Sequence, residues 1–588
     1  MKKLLTGDEA IARGAYEYGC HVATAYPGTP STEVLENIAN YEEISAGWAP
    51  NEKVALEVAC GAAINGARTI VSMKHVGLNV AADPFFSIAY AGTNGGLLIL
   101  TADEPGMHSS QNEQDNRYYG IHAKVPVIEP SDSQECKDFV GEAFEISEKY
   151  DTPILMKMTT RVCHSKGPVE LKDRVEVEPK SYEKNPRKYV LVPANAKERH
   201  RVMEEERLPA LKKYSEETHL NKEVIFNTDI GIIASGACYL HAREVMGENA
   251  SYLKLGMPFP FPEEKVKAFA KKVKKLYIIE ENEPIIENFV KQLGIPCTGK
   301  EIFSVRGEIS PEIVRKALLG QESKNSYPID VQVPPRAPGL CAGCPHRPLF
   351  YAISKLKNTV VTTDIGCYTL GVAPPLGVGE TCICMGGGFG LGVGFDRSNK
   401  VFGRDKRVFG ILGDSTFFHS GMTGIAEAVY SGANMVAVIL DNRITAMTGH
   451  QANPGVGFDI HGNPAPQLDI ETIVKALGVK ESNIRVVDPY NVKQTTDAVK
   501  EAYESDEFFV IITKQPCALI KEVMKKRAGL HCEINQDKCK KCKTCMRTGC
   551  PAISMKDNVV SIDQTQCNGC TLCKQVCPFG AIEGGGTI

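Results

Sequence analysis

The 588-residue chain predicts a multidomain α/β protein that ends in a small cysteine-rich α+β module. Three observations carry this. RVFGIL (407–412) and MVAVIL (435–440) are short, nearly continuous apolar runs, the pattern of parallel strands covered on both faces. Between them, Phe417 to Tyr430 has helical spacing and small residues, so the stretch reads as one βαβ unit. Ten of the 21 cysteines crowd into the last third of the chain, eight of them at ligand-like gaps.

In chain order, residues 1–165 read as an α/β domain. LLILT (97–101) and ILMKM (154–158) are its buried-strand candidates, with helices near 8–19, 54–65 and 133–150. Three stretches here carry chemistry-bearing residues. Tyr26 to Glu33 is a turn leading into a helix that Ser31 or Thr32 can cap. Asn51-Glu52 opens a helix, where the dipole favours a carboxylate. Met107 to Gly120 is too polar for a core, and its Arg117 is the cation suited to a bidentate grip on a carboxylate. His75 is a weaker candidate that fits a buried imidazole equally well.

Residues 166–225 are charge-rich and read as a connector with some helix and a solvated face. Residues 226–322 return to α/β, with strands at 229–235 and 276–279 and a helix over 263–275, without a catalytic constellation. Four prolines make 323–339 a linker.

The most informative residues of the α/β domain at 340–528 follow its two clearest strands, where open α/β sheets bind ligands: Gly413-Asp414-Ser415 and Asp441-Asn442-Arg443-Ile444. The Asp414 carboxylate, the Asn442 amide oxygen and the Ile444 carbonyl suit a hard cation such as Mg²⁺, which completes its shell with phosphate oxygens and water. Gly413 lets the backbone approach, the following helix offers its amino end to an anion, and the glycine-rich run 385–394, with Gly386, lies upstream. The set is suited to a diphosphate.

In the last segment, 529–588, Cys539-x2-Cys542-x2-Cys545-x4-Cys550-Pro is followed by Cys567-x2-Cys570-x2-Cys573-x3-Cys577-Pro. Two such runs form a bacterial-type two-[4Fe-4S] ferredoxin module, in which the fourth cysteine of each run serves the other cluster. One cluster takes Cys539, Cys542, Cys545 and Cys577; the other takes Cys567, Cys570, Cys573 and Cys550. The first run has one extra residue before Cys550, and the spacing is poor for zinc. Cys341, Cys344, Cys367 and Cys517 form a further set, with Cys382 and Cys384 as competing ligands. Six isolated cysteines, at 20, 60, 136, 163, 238 and 297, read as core.

The GD and DN turns resemble those of the thiamine diphosphate enzymes, with Ser415 in place of the last glycine of GDG. The tail Ile444 to Gln451 (ITAMTGHQ) narrows the resemblance to the 2-oxoacid:ferredoxin oxidoreductases and, within them, to the indolepyruvate-type alpha subunits. That resemblance implies a pyrimidine-binding domain at 1–165, a transketolase C-terminal-like domain at 226–322 and a diphosphate domain at 340–528. It implies that Glu52 contacts the aminopyrimidine N1′ of the cofactor, that Thr29 and Arg117 contact substrate, and that Cys341, Cys344, Cys367 and Cys517 hold a third [4Fe-4S] cluster. Met447 stands where pyruvate enzymes carry Asn, consistent with a less polar pocket. Implied too are thiamine diphosphate, Mg²⁺, coenzyme A as co-substrate, a 2-oxoacid substrate, ferredoxin as electron acceptor and a beta subunit, assembled as a dimer of heterodimers.

Composition narrows the class. The formal net charge of −4 gives no basic character for nucleic acid, and no apolar run reaches membrane-spanning length. Asp8 and Glu9 interrupt the start of the chain before an apolar core of signal-peptide length, so we expect a cytoplasmic protein with reduced cysteines.

Overall fold

The computed structural model describes residues 1–322, 331–334 and 337–586, which fall into two compact units, 1–330 and 331–588. Of the expected linker, 323–330 and 335–336 lie outside the described residues, and 331–334 with 337–339 form neither helix nor strand.

The first unit holds a six-stranded parallel sheet, ordered Ser45–Trp48, Val22–Ala25, Thr69–Lys74, Leu97–Asp103, Ile154–Thr159, Val127–Ile128. The two strands predicted from apolar runs sit together in it and are buried along their whole length. Val22–Ala25 and Ser45–Trp48 are only four residues each, too short to register as runs. Helix Ser133–Tyr150 forms where its period places it, and the Asp132 side chain caps it by accepting the Glu135 N–H at 2.9 Å. Ser31 caps differently from expectation: its hydroxyl donates to the Gly28 carbonyl, and Thr32 Oγ1 accepts the Gly28 N–H at 2.9 Å.

Residues 166–225 are more than a solvated connector. Gly167–Glu170 pairs antiparallel with Lys2–Leu5, and Asn221–Val224 becomes the antiparallel edge of a second sheet, ordered Lys275–Ile279, Ile230–Ala234, Ser251–Leu255, Asn221–Val224. Arg207, in the helical stretch between them, is buried against the Ala89 carbonyl and Asp151. The helix expected to reach residue 275 stops at Ala270, because Lys275 already begins a strand.

In the second unit the predicted βαβ forms in parallel register, Val408 opposite Met435 through Gly413 opposite Leu440. It is the centre of an all-parallel sheet ordered Thr359–Thr362, Arg407–Gly413, Met435–Asp441, Phe509–Lys514, Ile484–Val487. The crossover helix is not regular throughout: Phe417–Gly421 is a π-helical segment between α-helical Asp414–Thr416 and Met422–Tyr430. Such bulges concentrate at functional sites because they re-aim side chains without ending the helix. The cysteine-rich module follows, with two small antiparallel sheets, Cys532–Ile534 with Ile582–Gly584 and Ile553–Lys556 with Val559–Ile562. No helix among the described residues is long and apolar enough to cross a membrane.

Arg117 corrects an expectation. It is 1% exposed, and its guanidinium is occupied by Asp115 (2.6 Å) and Glu280 (2.8 Å) and by the carbonyls of Glu281 and Glu283. The fork that could have gripped a substrate carboxylate instead ties the polar loop after Leu97–Asp103 to the segment after Lys275–Ile279. Removing one member of a buried ion network leaves charges without partners, which costs about 3–5 kcal/mol, against ~0–1 kcal/mol for an exposed pair. Arg117→Met is therefore expected to lower unfolding stability in urea by that larger amount, while exposed Arg201→Met, on Glu198, leaves the urea midpoint close to that of the parent.

Candidate active site

The carboxyl ends of Arg407–Gly413 and Met435–Asp441 bring the expected cation ligands together. Asp414 is 3% exposed and begins the crossover helix; its Oδ1 accepts the Ser415 N–H at 2.9 Å and its Oδ2 accepts from Asn453 Nδ2 at 3.2 Å. Burial, with the Asp441 charge adding, pushes its carboxyl up to about 7. Asn442 Oδ1 accepts the Ile444 N–H at 3.2 Å, and its Nδ2 lies 3.4 Å from His346 Nε2. Burial holds the His346 imidazole down to about 4, so it faces that amide as a neutral acceptor. Ser415, where the signature of the thiamine enzymes has glycine, accepts a hydrogen bond from Thr445 Oγ1 at 2.9 Å and so joins the two strand ends. Met447, farther along that loop, is half exposed.

Asp364 organises the glycine-rich run. It follows Thr359–Thr362, and its carboxylate accepts the N–H groups of Ile365 (2.7 Å), Gly386 (3.0 Å) and Gly388 (2.8 Å). Gly386 takes φ +80° at the start of helix Gly387–Phe402, and a Cβ there would lie 1.9 Å from Ser420 Oγ. Only glycine fits. Asp364, His346 and Asn453 were missed in the sequence: the strand before Asp364 is four residues long, and the other two sit in loops without a periodic signal.

The eight module cysteines divide as their runs predict. Cys539, Cys542, Cys545 and Cys577 line one cavity, and Cys550, Cys567, Cys570 and Cys573 line another. Two tetrathiol cavities fit two four-iron clusters, and the extra residue before Cys550 does not displace it from its set. Cys532 also lines the second cavity, its N–H on Cys567 Sγ at 3.4 Å, and no cysteine spacing had marked it.

The third set adjoins both sites. Cys517 N–H donates to the Asn442 carbonyl at 2.9 Å, beside the cation ligands. Burial raises the Cys344 thiol to about 12 and the Cys367 thiol to about 11; Cys367 and Cys341 add to the first shift, Cys517 and Cys341 to the second. Cys382 and Cys384 neighbour each other and Asp364. On its other side the Cys341–Cys344 loop abuts the module: Asn568 Nδ2 donates to the Ala342 carbonyl at 3.4 Å and Arg347 to the Thr548 carbonyl at 3.2 Å. Ala342 and Gly343 also line the cavity of Cys550, Cys567, Cys570 and Cys573.

In the first unit Glu52 is the first residue of helix Glu52–Ile64, capped by Asn51 Oδ1 on the Val54 N–H at 2.8 Å, and is 5% exposed. A Cβ on Gly77 would lie 2.7 Å from its Oε1, so only glycine there leaves room for this carboxylate. Glu57 points outward and pairs with Lys53. Thr29 is partly exposed in the turn after Val22–Ala25. The 107–120 loop is a closed network: Glu104 holds Ser109 and Lys74, and buried His75 bonds Asn112 at 3.0 Å.

The buried Asp414 carboxyl carries a testable strain. A carboxyl whose folded pKa lies near 7 against about 3.9 unfolded keeps its proton in the folded state between those values, so stability falls as pH rises through that window and stays low above it. Asp414→Asn is expected to flatten that fall, leaving the chain free of diphosphate and Mg²⁺ more stable than the parent at pH 8; parallel urea titrations at pH 5 and pH 8 measure it.

Comparison with known families agrees with this geometry. Residues 13–227 match the family described as pyruvate flavodoxin/ferredoxin oxidoreductase, thiamine diP-bdg; residues 364–513 match the thiamine pyrophosphate enzyme, C-terminal TPP binding domain; and residues 560–583 match the 4Fe-4S binding domain. The chain is 40% identical to indolepyruvate oxidoreductase subunit IorA of Methanothermobacter thermautotrophicus, covering 99% of this chain and 97% of that one. It is 39% identical to the subunit of the same name from Pyrococcus horikoshii, again over 99% and 97%. A more distant relative, 2-oxoglutarate synthase subunit KorA of M. thermautotrophicus, is 26% identical over 47% of this chain and 87% of its own. With such identity along nearly its whole length, the chain belongs to the indolepyruvate oxidoreductase subunit IorA family.

Proposed function

We propose that the chain is the alpha subunit of a thiamine-diphosphate-dependent oxidoreductase that converts indolepyruvate, CoA and oxidised ferredoxin to indoleacetyl-CoA, CO₂ and reduced ferredoxin. The observation that carries this reading is a contiguity within the second unit: the cation ligands hang on Cys517 through Asn442, and the Cys341–Cys344 loop abuts the two-cavity module. A decarboxylase that released an aldehyde would have no use for that adjacency.

The donor set fits the cofactor. Asp414, Asn442 and the Ile444 carbonyl would hold Mg²⁺, because a buried carboxylate with a raised pKa and a second carboxylate nearby is relieved by a cation. Gly413, Ser415 and Gly386 would leave the backbone close to the diphosphate, and Glu52 would hold the aminopyrimidine. Thiamine diphosphate supplies a carbanion for addition to a 2-oxo carbon and holds the electron pair left by CO₂. Thr29 would offer a hydroxyl to the substrate and Met447 an apolar wall, whereas Arg117 orders the polar loop through its ion network. Cys341, Cys344, Cys367 and Cys517 would hold a proximal cluster, Cys550, Cys567, Cys570 and Cys573 a medial one, and Cys539, Cys542, Cys545 and Cys577 a distal one. A beta subunit completes the enzyme in a dimer of heterodimers.

Anaerobic mixing of the reconstituted chain and its beta subunit with indolepyruvate and CoA is expected to reduce the clusters, seen by electron paramagnetic resonance, and to form indoleacetyl-CoA. Indoleacetaldehyde with clusters left oxidised would replace the oxidoreductase by a simple decarboxylase. Glu52→Gln should lower turnover by roughly 10²- to 10⁴-fold with iron content unchanged. Iron analysis should give about twelve atoms per chain, falling to about eight in Cys367→Ala; about eight in the parent chain would remove the proximal cluster.

A further inference from the structure

The two module cavities differ in what surrounds them. The medial one is walled by the chain's own residues, Ala342, Gly343 and Leu572 among them, and its one charged lining residue, Arg347, is 3% exposed. The distal one is lined by Lys540, Lys541 and Lys543, with exposed Cys542 and with Phe579, 48% exposed. From 538 to 547 the sequence KCKKCKTCMR holds five basic residues and no carboxylate, within a chain of net charge −4.

All five basic side chains are exposed. Lys538 is taken up by Glu583 at 2.7 Å, whereas Lys540, Lys541 and Lys543 enter no ion pair among the described residues. Lys541 and Lys543 take left-handed φ values of +55° and +61°, so the loop winds tightly around the thiols with lysines between them. Those residues pay a backbone penalty that glycine or asparagine would avoid. Unpaired charge of one sign around an exposed thiol and an exposed aromatic ring has the anatomy of a transient electrostatic interface: a polar rim that steers encounter and a small apolar centre that seats it.

We propose that the face formed by Lys540, Lys541, Lys543 and Phe579 is the docking surface for a small acidic one-electron carrier protein. This rests on the oxidoreductase reading. The electron pair released from the substrate would leave through the distal cluster one electron at a time, each reducing one carrier molecule, with no bond made or broken at this face. The carrier's acidic patch would meet the lysine rim, and its cluster edge would approach Cys542.

The test uses the chain with its beta subunit and clusters, an acidic bacterial-type ferredoxin, and methyl viologen as a small acceptor that needs no docking face. In Lys540→Glu/Lys541→Glu/Lys543→Glu, ferredoxin binding is expected to weaken at least tenfold at low ionic strength, and its salt dependence to flatten. kcat/KM with ferredoxin should fall in step while viologen turnover and iron content hold. Lys540→Ser/Lys541→Ser/Lys543→Ser serves if the charge-reversed chain fails to load clusters, with a smaller loss in the same direction. Unchanged ferredoxin affinity in a cluster-loaded variant, or equal loss with both acceptors, would overturn the docking surface. Because binding is read without turnover, salt-dependent, lysine-dependent affinity in an enzyme that reduces neither acceptor would leave this surface standing and remove the oxidoreductase reading instead.

Discussion

A buried carboxylate held by uncharged hydrogen-bond donors, Asp414, marks the strand ends of the second unit. Asp414 sits at the dry end of a central parallel strand, with Asp441 one strand over, and its ordinary partners are a backbone N–H and the Asn453 amide. Neither supplies a positive charge, so burial is relieved by a proton and would be relieved better by a divalent ion. Gly386 yields to Ser420, the Asp364 carboxylate gathers three N–H groups of the glycine-rich run and its approach, and His346 remains neutral beside Asn442. In the terms of folding alone this is a costly arrangement.

The same strand end touches the third cysteine set through one hydrogen bond, from the Cys517 N–H to the Asn442 carbonyl. Asn442 presents its side chain to the Ile444 N–H and to His346 and its carbonyl to the Cys517 N–H, so the turn after Met435–Asp441 meets the loop after Phe509–Lys514. Gly343, at φ +67°, lets the Cys341–Cys344 loop press on Asn568, where any side chain would collide at 2.0 Å. The loop also meets the module through Asn568 on the Ala342 carbonyl and Arg347 on the Thr548 carbonyl, whereas Cys542 of the other cavity is exposed.

Arg117 and Glu52 illustrate how far residue type alone can be trusted. Both are charged residues in polar surroundings of the sequence, and both were read as site residues. Glu52 stays a candidate because its helix start and the glycine opposite leave a space shaped to a carboxylate. Arg117 leaves the candidate list because Glu280, 163 positions away, reaches its guanidinium. No local pattern encodes that partner.

The amino-acid sequence by itself determined the βαβ centre of the diphosphate domain, the GDS and DNRI turns, and the division of eight cysteines into two sets. Each is a local signal: an apolar run, a turn at a strand end, a ligand spacing whose geometry is set within a few residues. Only the tertiary structure decided what depends on meeting across distance. It brought His346 to Asn442 and Asn453 to Asp414, set Asp364 on the glycine-rich run, placed Cys382 and Cys384 beside Asp364, added Cys532 to the cavity of Cys550, Cys567, Cys570 and Cys573, and turned the charged connector into sheet edges. These choices follow from packing, which selects partners by shape and unmet hydrogen bonds once the strands are in register, and such selection leaves no periodicity to read.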